Sequence, residues 1–473
     1  MTASDIRCLA PFLIIASAPI ILMLVITVSR NYKVIYGFSL FMFLAAFLSL
    51  FLVIPNTPHK FDPLLIFDNY SILLLGTVYC VCIIVTILSY VYLNQQEGER
   101  EEYFIILFVA TLGASVLIAA NHFITLFLGL ETLSISLYVL VAYLKTRDYC
   151  IEAGVKFLVI ASVATAFLLF GMSLIYAQTG TMSFKDITSG ISSSGPSPLI
   201  IAGFGMMLVG IGFKLALVPF HMWTPDVYQG APAPVSAFIA TVSKGSVLAV
   251  TLRFFFEISG YQYHSFIIII SVIAILSMFT GNLLALRQTN FKRLLAYSSI
   301  AHLGYLLITL LCGTEYGVQA AVFYLMSYMI TTLGAFGVIA ILSVYERDAE
   351  DIEDLKGLFR RNTWLSIVLS LSLFSLAGIP LTAGFIAKFY LVLAGLKSSL
   401  WILAASLILN SIISLYYYLR VIKTMFTVSG KEAVIRVPLV GNLVLIIIVA
   451  LILFMGILPS FMTEIIGSFS AGI

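Results

Sequence analysis

Four ionisable side chains stand in stretches of this sequence that are otherwise almost free of charge. Lys214 falls in GFGMMLVGIGFKLALVPF, Lys244 in PVSAFIATVSKGSVLAV, Lys388 in IPLTAGFIAKFYLVLAG and Glu131 in NHFITLFLGLETLSISLYVL. A charge in hydrocarbon costs about 2.5–3.5 kcal/mol on insertion scales, so it persists where it has a partner, water or a task. Lysine suits proton transfer. Burial disfavours its charged form, a nearby carboxylate favours it, and a partner that moves can load and unload it. Arginine does not give up its proton. Glu131 is the acid placed mid-span and the expected partner of Lys214, with Lys244 as the other option. The bland alternative is a static ion pair that only holds helices together.

Further polar groups cluster near these four. His221 follows a proline break at Pro219, and His302 sits in YSSIAHLGY; an unperturbed histidine titrates near pH 6.5 and suits a relay. Glu152 and Lys156 are spaced i, i+4, which serves either as helix decoration or as an extension of a polar path. Tyr297 and Tyr305 read as aromatic packing. Gly203-Phe-Gly205 and Gly210-Ile-Gly212 lie inside an apolar run without the strand–turn–helix context of a dinucleotide site, so close helix packing explains them better. No Walker A pattern is present. The five cysteines (Cys8, Cys80, Cys82, Cys150 and Cys312) include no C-x-x-C pair, so neither an iron–sulfur cluster nor a structural zinc is expected in this chain. For Cys80 and Cys82, core packing is the expected role.

These residues need a scaffold, and composition gives it. The chain is 61% hydrophobic and 10% charged, with a mean hydropathy of +1.10. That is an all-α polytopic membrane protein in the lipid bilayer. Apolar runs place fourteen spans near 10–29, 34–54, 70–93, 102–120, 122–144, 150–178, 198–219, 232–256, 264–286, 292–312, 316–345, 362–378, 398–422 and 437–460. The twelfth pauses at Gly378-Ile-Pro380 and resumes through Lys388 to Gly395. Breaks at Pro219 and Pro380 free backbone groups that only protein or water can satisfy at membrane depth. The two discontinuous spans, seven and twelve, are five apart, so a five-helix unit would recur inverted. The resulting division is 1–101 for spans one to three, 102–256 and 264–428 for two inverted five-helix repeats, and 435–473 for the last span.

The first apolar run, between Arg7 and Arg30, reads as a span and not as a signal sequence. An even number of spans puts both termini on one side. Loops on the other side carry sixteen Lys and Arg (among them Arg30, Arg100, Arg147, Lys292, Arg347, Arg361, Lys431 and Arg436), against five on the termini side: Arg7, Lys60, Lys185, Arg253 and Lys397. The positive-inside rule then turns both termini away from the cytoplasm. The mixed-charge stretch 346–361, ERDAEDIEDLKGLFRR, reads as a solvated connector, or as a docking surface for another subunit. The net charge of +3 is scattered, so no nucleic acid is expected.

At this point a resemblance is plain. GLETLSISLYVLVAYL around Glu131, FKLALVPFHMWTPDVYQGAPAPVSAFIATVSK from Phe213 to Lys244, FKRLLAYSSIAHLGYLL from Phe291 and GIPLTAGFIAKFYL from Gly378 resemble the antiporter-like membrane subunits of respiratory complex I. The resemblance covers spans four to thirteen. It sets the chain apart from the L-type subunit, which adds a lateral helix and a span, and from the M-type, which typically has glutamate where this chain has Lys388. It implies that Glu131 and Lys214 form a first buried pair, Lys244 a central relay, and Lys388 a site exchanging with the far compartment. His221, His302, Glu152 and Lys156 would line connecting or entry water paths. It also implies proton translocation coupled to quinone reduction elsewhere, in a bacterial inner membrane. NADH, flavin, iron–sulfur clusters and quinone would be held by partner subunits, and other membrane subunits would be the neighbours. Two rivals remain: a subunit of a multisubunit cation/proton antiporter, and a scaffold whose buried charges only hold helices and partners together.

Overall fold

Apolar residues run right round most of these segments, and helices so built must be covered by other helices or by lipid. The computed structural model describes all residues except 1, 97–99, 195–196, 344–347, 429–434, 436 and 471–473. Of the cations counted by side, Arg347, Lys431 and Arg436 therefore lie outside the described residues. The first helices are α1 (Ala3–Val28), α2 (Tyr32–Val53), α3 (Asn69–Leu93), α4 (Glu102–Ala119), α5 (Phe123–Val141), α6 (Asp148–Thr179), α7 (Phe184–Ser194) and α8 (Pro198–Lys214). Then come α9 (Trp223–Gly230), α10 (Ala233–Phe238), α11 (Lys244–Glu257), α12 (His264–Leu286), α13 (Phe291–Cys312) and α14 (Glu315–Leu342). The chain closes with α15 (Leu358–Arg361), α16 (Thr363–Ala377), α17 (Ala383–Lys397), α18 (Trp401–Phe426), α19 (Leu439–Ile457) and α20 (Pro459–Ser470).

Among the described residues, 12 helices are long and apolar enough to cross a membrane, α10 and α11 acting as one. The other two expected spans are the shorter apolar helices α8 and α16, because the backbone unwinds after each. α13 is buried at every residue but Arg293 and Ala233–Glu257 almost throughout, whereas α1, α6 and α18 expose broad apolar faces. The core is thus centred on the helices that carry Lys244 and His302.

An all-helical chain needs one amendment. His59–Phe61 (β1) and Leu65–Phe67 (β2) pair antiparallel, His59 opposite Phe67, in the link between α2 and α3. Asp62-Pro63 supplies the turn, and Leu65 also bridges to Ala120 at the end of α4. His59 Nε2 meets Asp5 at 3.0 Å, so the start of α1 shares a face with this hairpin. The Ser- and Gly-rich link between α6 and α8 carries the short helix α7.

The glycines inside the apolar runs let backbones touch. A Cβ on Gly203 would stand 2.9 Å from the Gly171 carbonyl oxygen, and one on Gly171 would stand 2.5 Å from that of Gly203. Gly210 meets Leu168 in the same way. This small-residue seam sets α8 tightly against α6 and so fixes where Lys214 ends up. Of the cysteine pair, Cys82 is buried as expected, but Cys80 is exposed: with one residue between them, they point to different sides of α3.

Candidate functional site

Lys214 is the last residue of α8. The helix stops there, one turn earlier than Pro219 alone suggests, because Ala216 takes a left-handed conformation with φ 59°. The freed groups are satisfied locally. Leu217 N donates to Gly212 O at 2.8 Å, Val218 N to Ser277 Oγ at 3.0 Å, and Trp223 Nε1 to Phe213 O at 2.9 Å. The second break follows the same logic. α16 ends at Ala377, Gly378 adopts φ 85°, and α17 restarts at Ala383. A side chain at Gly378 would be strained at that φ and would press on Lys388 Cδ, 2.9 Å from its Cβ.

All three lysines are buried: Lys214 is 8% exposed, Lys244 1% and Lys388 6%. Lys214 Nζ donates to Ser134 Oγ at 2.6 Å. Glu131, one turn before Ser134 on α5, accepts from Thr165 Oγ1 of α6 at 2.8 Å. The expected Glu131–Lys214 pair is therefore not a direct contact among the described ion pairs. Ser134 takes the ammonium, while the Glu131 carboxylate still acts on it through space. Lys214 also stands 5.7–6.0 Å from the rings of Phe213, Tyr138 and Phe157.

Phe157 stacks on Trp223 with centroids 4.6 Å apart, and the other edge of that aromatic group meets the next lysine. Lys244 Nζ lies 6.0 Å from the Trp223 ring and 5.2 Å from the Tyr228 ring. It donates to Ser299 Oγ of α13 at 2.7 Å. Lys244 begins α11 directly after a π-helical segment, Ile239–Ser243. The wider turn rotates the lysine relative to α10, and such segments recur at functional sites. Periodicity cannot reveal a π-turn, so the sequence does not predict it.

One turn beyond Ser299 stands His302. Its Nδ1 is 2.6 Å from Tyr324 Oη and its Nε2 3.3 Å from Tyr418 Oη, and Ser298 Oγ also bonds Tyr418. A small cavity with room for about one water is lined by His302, Ser327, Thr331, Ser375 and Lys388 along with apolar groups. Lys388 Nζ donates to the Ala377 carbonyl at 2.9 Å, across the second break, and faces the Tyr305 ring at 5.5 Å. Tyr305 is more than packing, since its hydroxyl accepts from Asn282 Nδ2 at 3.0 Å.

His221 is buried beside the Pro219 carbonyl, with no well-formed hydrogen bond to either ring nitrogen among the described residues. Glu152 and Lys156 pair at 2.6 Å but are 63% and 52% exposed. They sit on the outer face of α6, away from its buried stripe of Cys150, Ala153, Phe157 and Ala161. Within this chain the structure does not bring them to the lysine row. Sequence reasoning missed Ser134, Thr165, Ser299, Tyr324 and Tyr418, hydroxyls that no motif distinguishes from ordinary packing.

Two buried ion clusters also lack a sequence signal. The 346–361 stretch is not simply solvated, because Asp348 is buried and bonded to Arg147 and Lys292. Arg253, counted among the termini-side cations, is buried against Asp68 at 2.7 Å. In each case a single charge in a mixed or terminal stretch found a distant partner that spacing cannot indicate. Burial works against the Asp348 carboxylate, but Lys292, Tyr92 and Arg147 outweigh it and hold the group below the usual carboxylate range. A depressed carboxylate stabilises the fold above its unfolded pKa and loses that effect as pH falls through the folded value. The thermal midpoint of purified protein should therefore not lose this contribution on acidification from pH 7 to about 5, and should lose it only below about 4. A loss centred near neutrality would contradict the pairing.

Residues 120–414 match the family described as NADH:quinone oxidoreductase/Mrp antiporter, transmembrane. NADH-quinone oxidoreductase subunit N of Methylococcus capsulatus is 40% identical over 434 residues, covering 91% of this chain and 88% of that protein. The subunit N of Ectopseudomonas mendocina is 41% identical over 478 residues, covering 98% and 96%. This chain belongs to the subunit N family of NADH-quinone oxidoreductase. Its fold is similar to a chain of respiratory complex I from Thermus thermophilus, with a TM-score of 0.83, 30% identity, and 96% and 98% of the two chains covered. The matched residues 120–414 take in Glu131, Lys214, Lys244, His302 and Lys388.

Proposed function

We propose that this chain is a proton-translocating membrane subunit of NADH:quinone oxidoreductase, in which partner subunits carry the NADH, flavin, iron–sulfur and quinone chemistry. The observation that carries the reading is the row of buried lysines, each bonded to a hydroxyl or carbonyl and separated by aromatic or hydroxyl-lined intervals. Protons would pass among the Lys214, Lys244 and Lys388 regions by changes in bonding, each biasing the next. Glu131 would tune Lys214, His302 would relay between Lys244 and Lys388, and the unpartnered His221 would meet water at the first break. Glu152 and Lys156 would serve at an entry formed with a neighbouring subunit.

In this reading the two short helices and their continuations complete fourteen spans. The breaks at Lys214 and Ala377 mark equivalent places in two inverted repeats, 102–256 and 264–428, flanked by 1–101 and 435–473. The membrane would be a bacterial inner membrane, with both termini on the non-cytoplasmic side. The family also takes in Mrp antiporters, but relatives at about 40% identity over nearly the full length are named as redox-complex subunits, which favours the redox-coupled reading.

The test is Lys214→Arg in the complex reconstituted into sealed vesicles. Arginine keeps the charge and not the proton release, so protons pumped per NADH should fall severalfold while assembly is retained. A wild-type ratio would overturn the assignment of Lys214 as a proton site. Exchange of cations for protons without any redox partner would favour the antiporter reading instead.

A further inference from the structure

The Asp348 cluster lies where the C-terminal end of α3, the N-terminus of α6 and the first turn of α13 converge, on the face opposite the hairpin. Arg147 Nη1 donates to Asp348 Oδ1 at 2.9 Å, Tyr92 Oη donates to the same oxygen at 2.6 Å, and Lys292 Nζ donates to Oδ2 at 2.7 Å. Arg147 Nη2 adds a bond to Gln96 Oε1 at 3.1 Å. The Asp348 segment is itself laced to α13, with Phe291 N donating to Glu350 O at 2.5 Å and Ile352 N to Thr289 O at 2.9 Å. A buried ion cluster is a weak stabiliser for the charge it buries, and its attested use is to fix one arrangement over others.

That arrangement reaches the central lysine. Lys292 Nζ also donates to the carbonyl of Ala231 at 2.7 Å, in the turn between α9 and α10. Three residues before Ala231, Tyr228 holds its ring under the Lys244 ammonium. Ser236 Oγ ties this turn together by donating to Tyr228 O at 2.9 Å. Ser299, the acceptor for Lys244, also reaches Tyr228 Oη at 3.5 Å. Ser299 follows Lys292 by two helical turns, so both present to the same side of α13.

We propose that Asp348 is a positioning residue for proton transfer at Lys244: it fixes Lys292, Lys292 fixes the α9–α10 turn, and the turn sets Tyr228 and Ser299 against the Lys244 ammonium. This rests on the reading of Lys244 as a proton site. Transfer between groups depends steeply on their geometry, so a small release of the turn carries a large effect.

The test uses the intact complex in sealed vesicles with Asp348→Asn, Asp348→Glu and Lys292→Met, and Lys244→Ala as reference. Lys292→Met cuts the link to Ala231 and leaves Arg147 and Tyr92 on Asp348, so it keeps the proposal testable if Asp348→Asn assembles poorly. Protons pumped per NADH, normalised to assembled complex, should fall about threefold or more in Lys292→Met and Asp348→Asn, a size typical of altered coupling between sites. The pH profile of pumping should shift with it, and Asp348→Glu should recover part of the ratio. Lost assembly in Asp348→Asn with normal pumping in Lys292→Met overturns the proposal, because the cluster is then structural only. Normal pumping in both with impaired Lys244→Ala overturns it and leaves the function standing. Normal pumping in Lys244→Ala overturns the reading of Lys244 as a proton site, and the proposal with it.

Discussion

Complexes carrying Lys244→Ala are expected to assemble and still to lose about tenfold or more of their proton pumping per NADH, the scale of removing a group that carries the proton itself. Lys244 is almost wholly enclosed, and its neighbours are Ser299, Trp223 and Tyr228. None of these three readily holds an extra proton, and the Trp223–Phe157 stack stands between Lys244 and Lys214. A methyl group there leaves nothing charged between Lys214 and His302. Lys244→Arg should fail similarly, since the charge survives and the exchangeable proton does not. The measurement is acid entry into vesicles set against NADH oxidation in the same preparation. The scaffold reading predicts the reverse, poor assembly with normal pumping in whatever complex forms.

Arg253→Ala should be the most damaging structural change. Arg253 makes a bidentate contact with Asp68, Nη1 to Oδ2 at 2.7 Å and Nη2 to Oδ1 at 3.0 Å, and also donates to Ser71 Oγ at 2.7 Å. Asp68 in turn caps α3 through Ser71 N at 2.8 Å. Removing the guanidinium strands a buried carboxylate, which costs about 3–5 kcal/mol. The yield of assembled complex and its thermal midpoint should both drop sharply. The double variant Asp68→Asn, Arg253→Met should recover much of the loss.

A sign reversal with pH makes the Arg253 prediction sharper. In the native chain burial opposes the Asp68 carboxylate, but Arg253 outweighs it and holds the group below the usual carboxylate range. Its stabilisation is then complete at neutral pH and is lost only in strong acid. Without Arg253, burial, the largest influence on the group, is opposed only by the Ser71 hydrogen bonds and pushes the folded value up. The variant should therefore become more stable as pH falls from 7 towards about 5, the opposite of the native trend. An unchanged midpoint, or a variant destabilised further by mild acid, would show that Asp68 is not held in this way.

Much of the fold and of the lysine row is legible in the amino-acid sequence. Long apolar runs fix helices by length, and a lysine or a proline inside one is conspicuous because its cost there is large. Lys214, Lys244, Lys388 and both breaks stand out on that ground. What stays hidden has two physical causes. Serine and tyrosine hydroxyls such as Ser134, Ser299 and Tyr418 are cheap to bury and common, so only a three-dimensional contact distinguishes them. Asp348 and Arg253 sit where charge is ordinary in sequence, and their partners lie far along the chain, Arg147 and Asp68 respectively. Glu152 and Lys156 show the opposite limit: a suggestive spacing that helical phase turns outward.

The bond from Lys388 to the Ala377 carbonyl has one more consequence. Near Lys214 the opposing charge is a carboxylate, which a proton can cancel. At Lys388 the acceptor is the open end of a half-helix, where aligned peptide dipoles leave about half a negative charge that no proton can remove. The two breaks thus offer their lysines different counterparts, one erasable and one permanent. A half-site of the second kind needs no acid of its own, and it stays poised for a cation whatever state the first has reached.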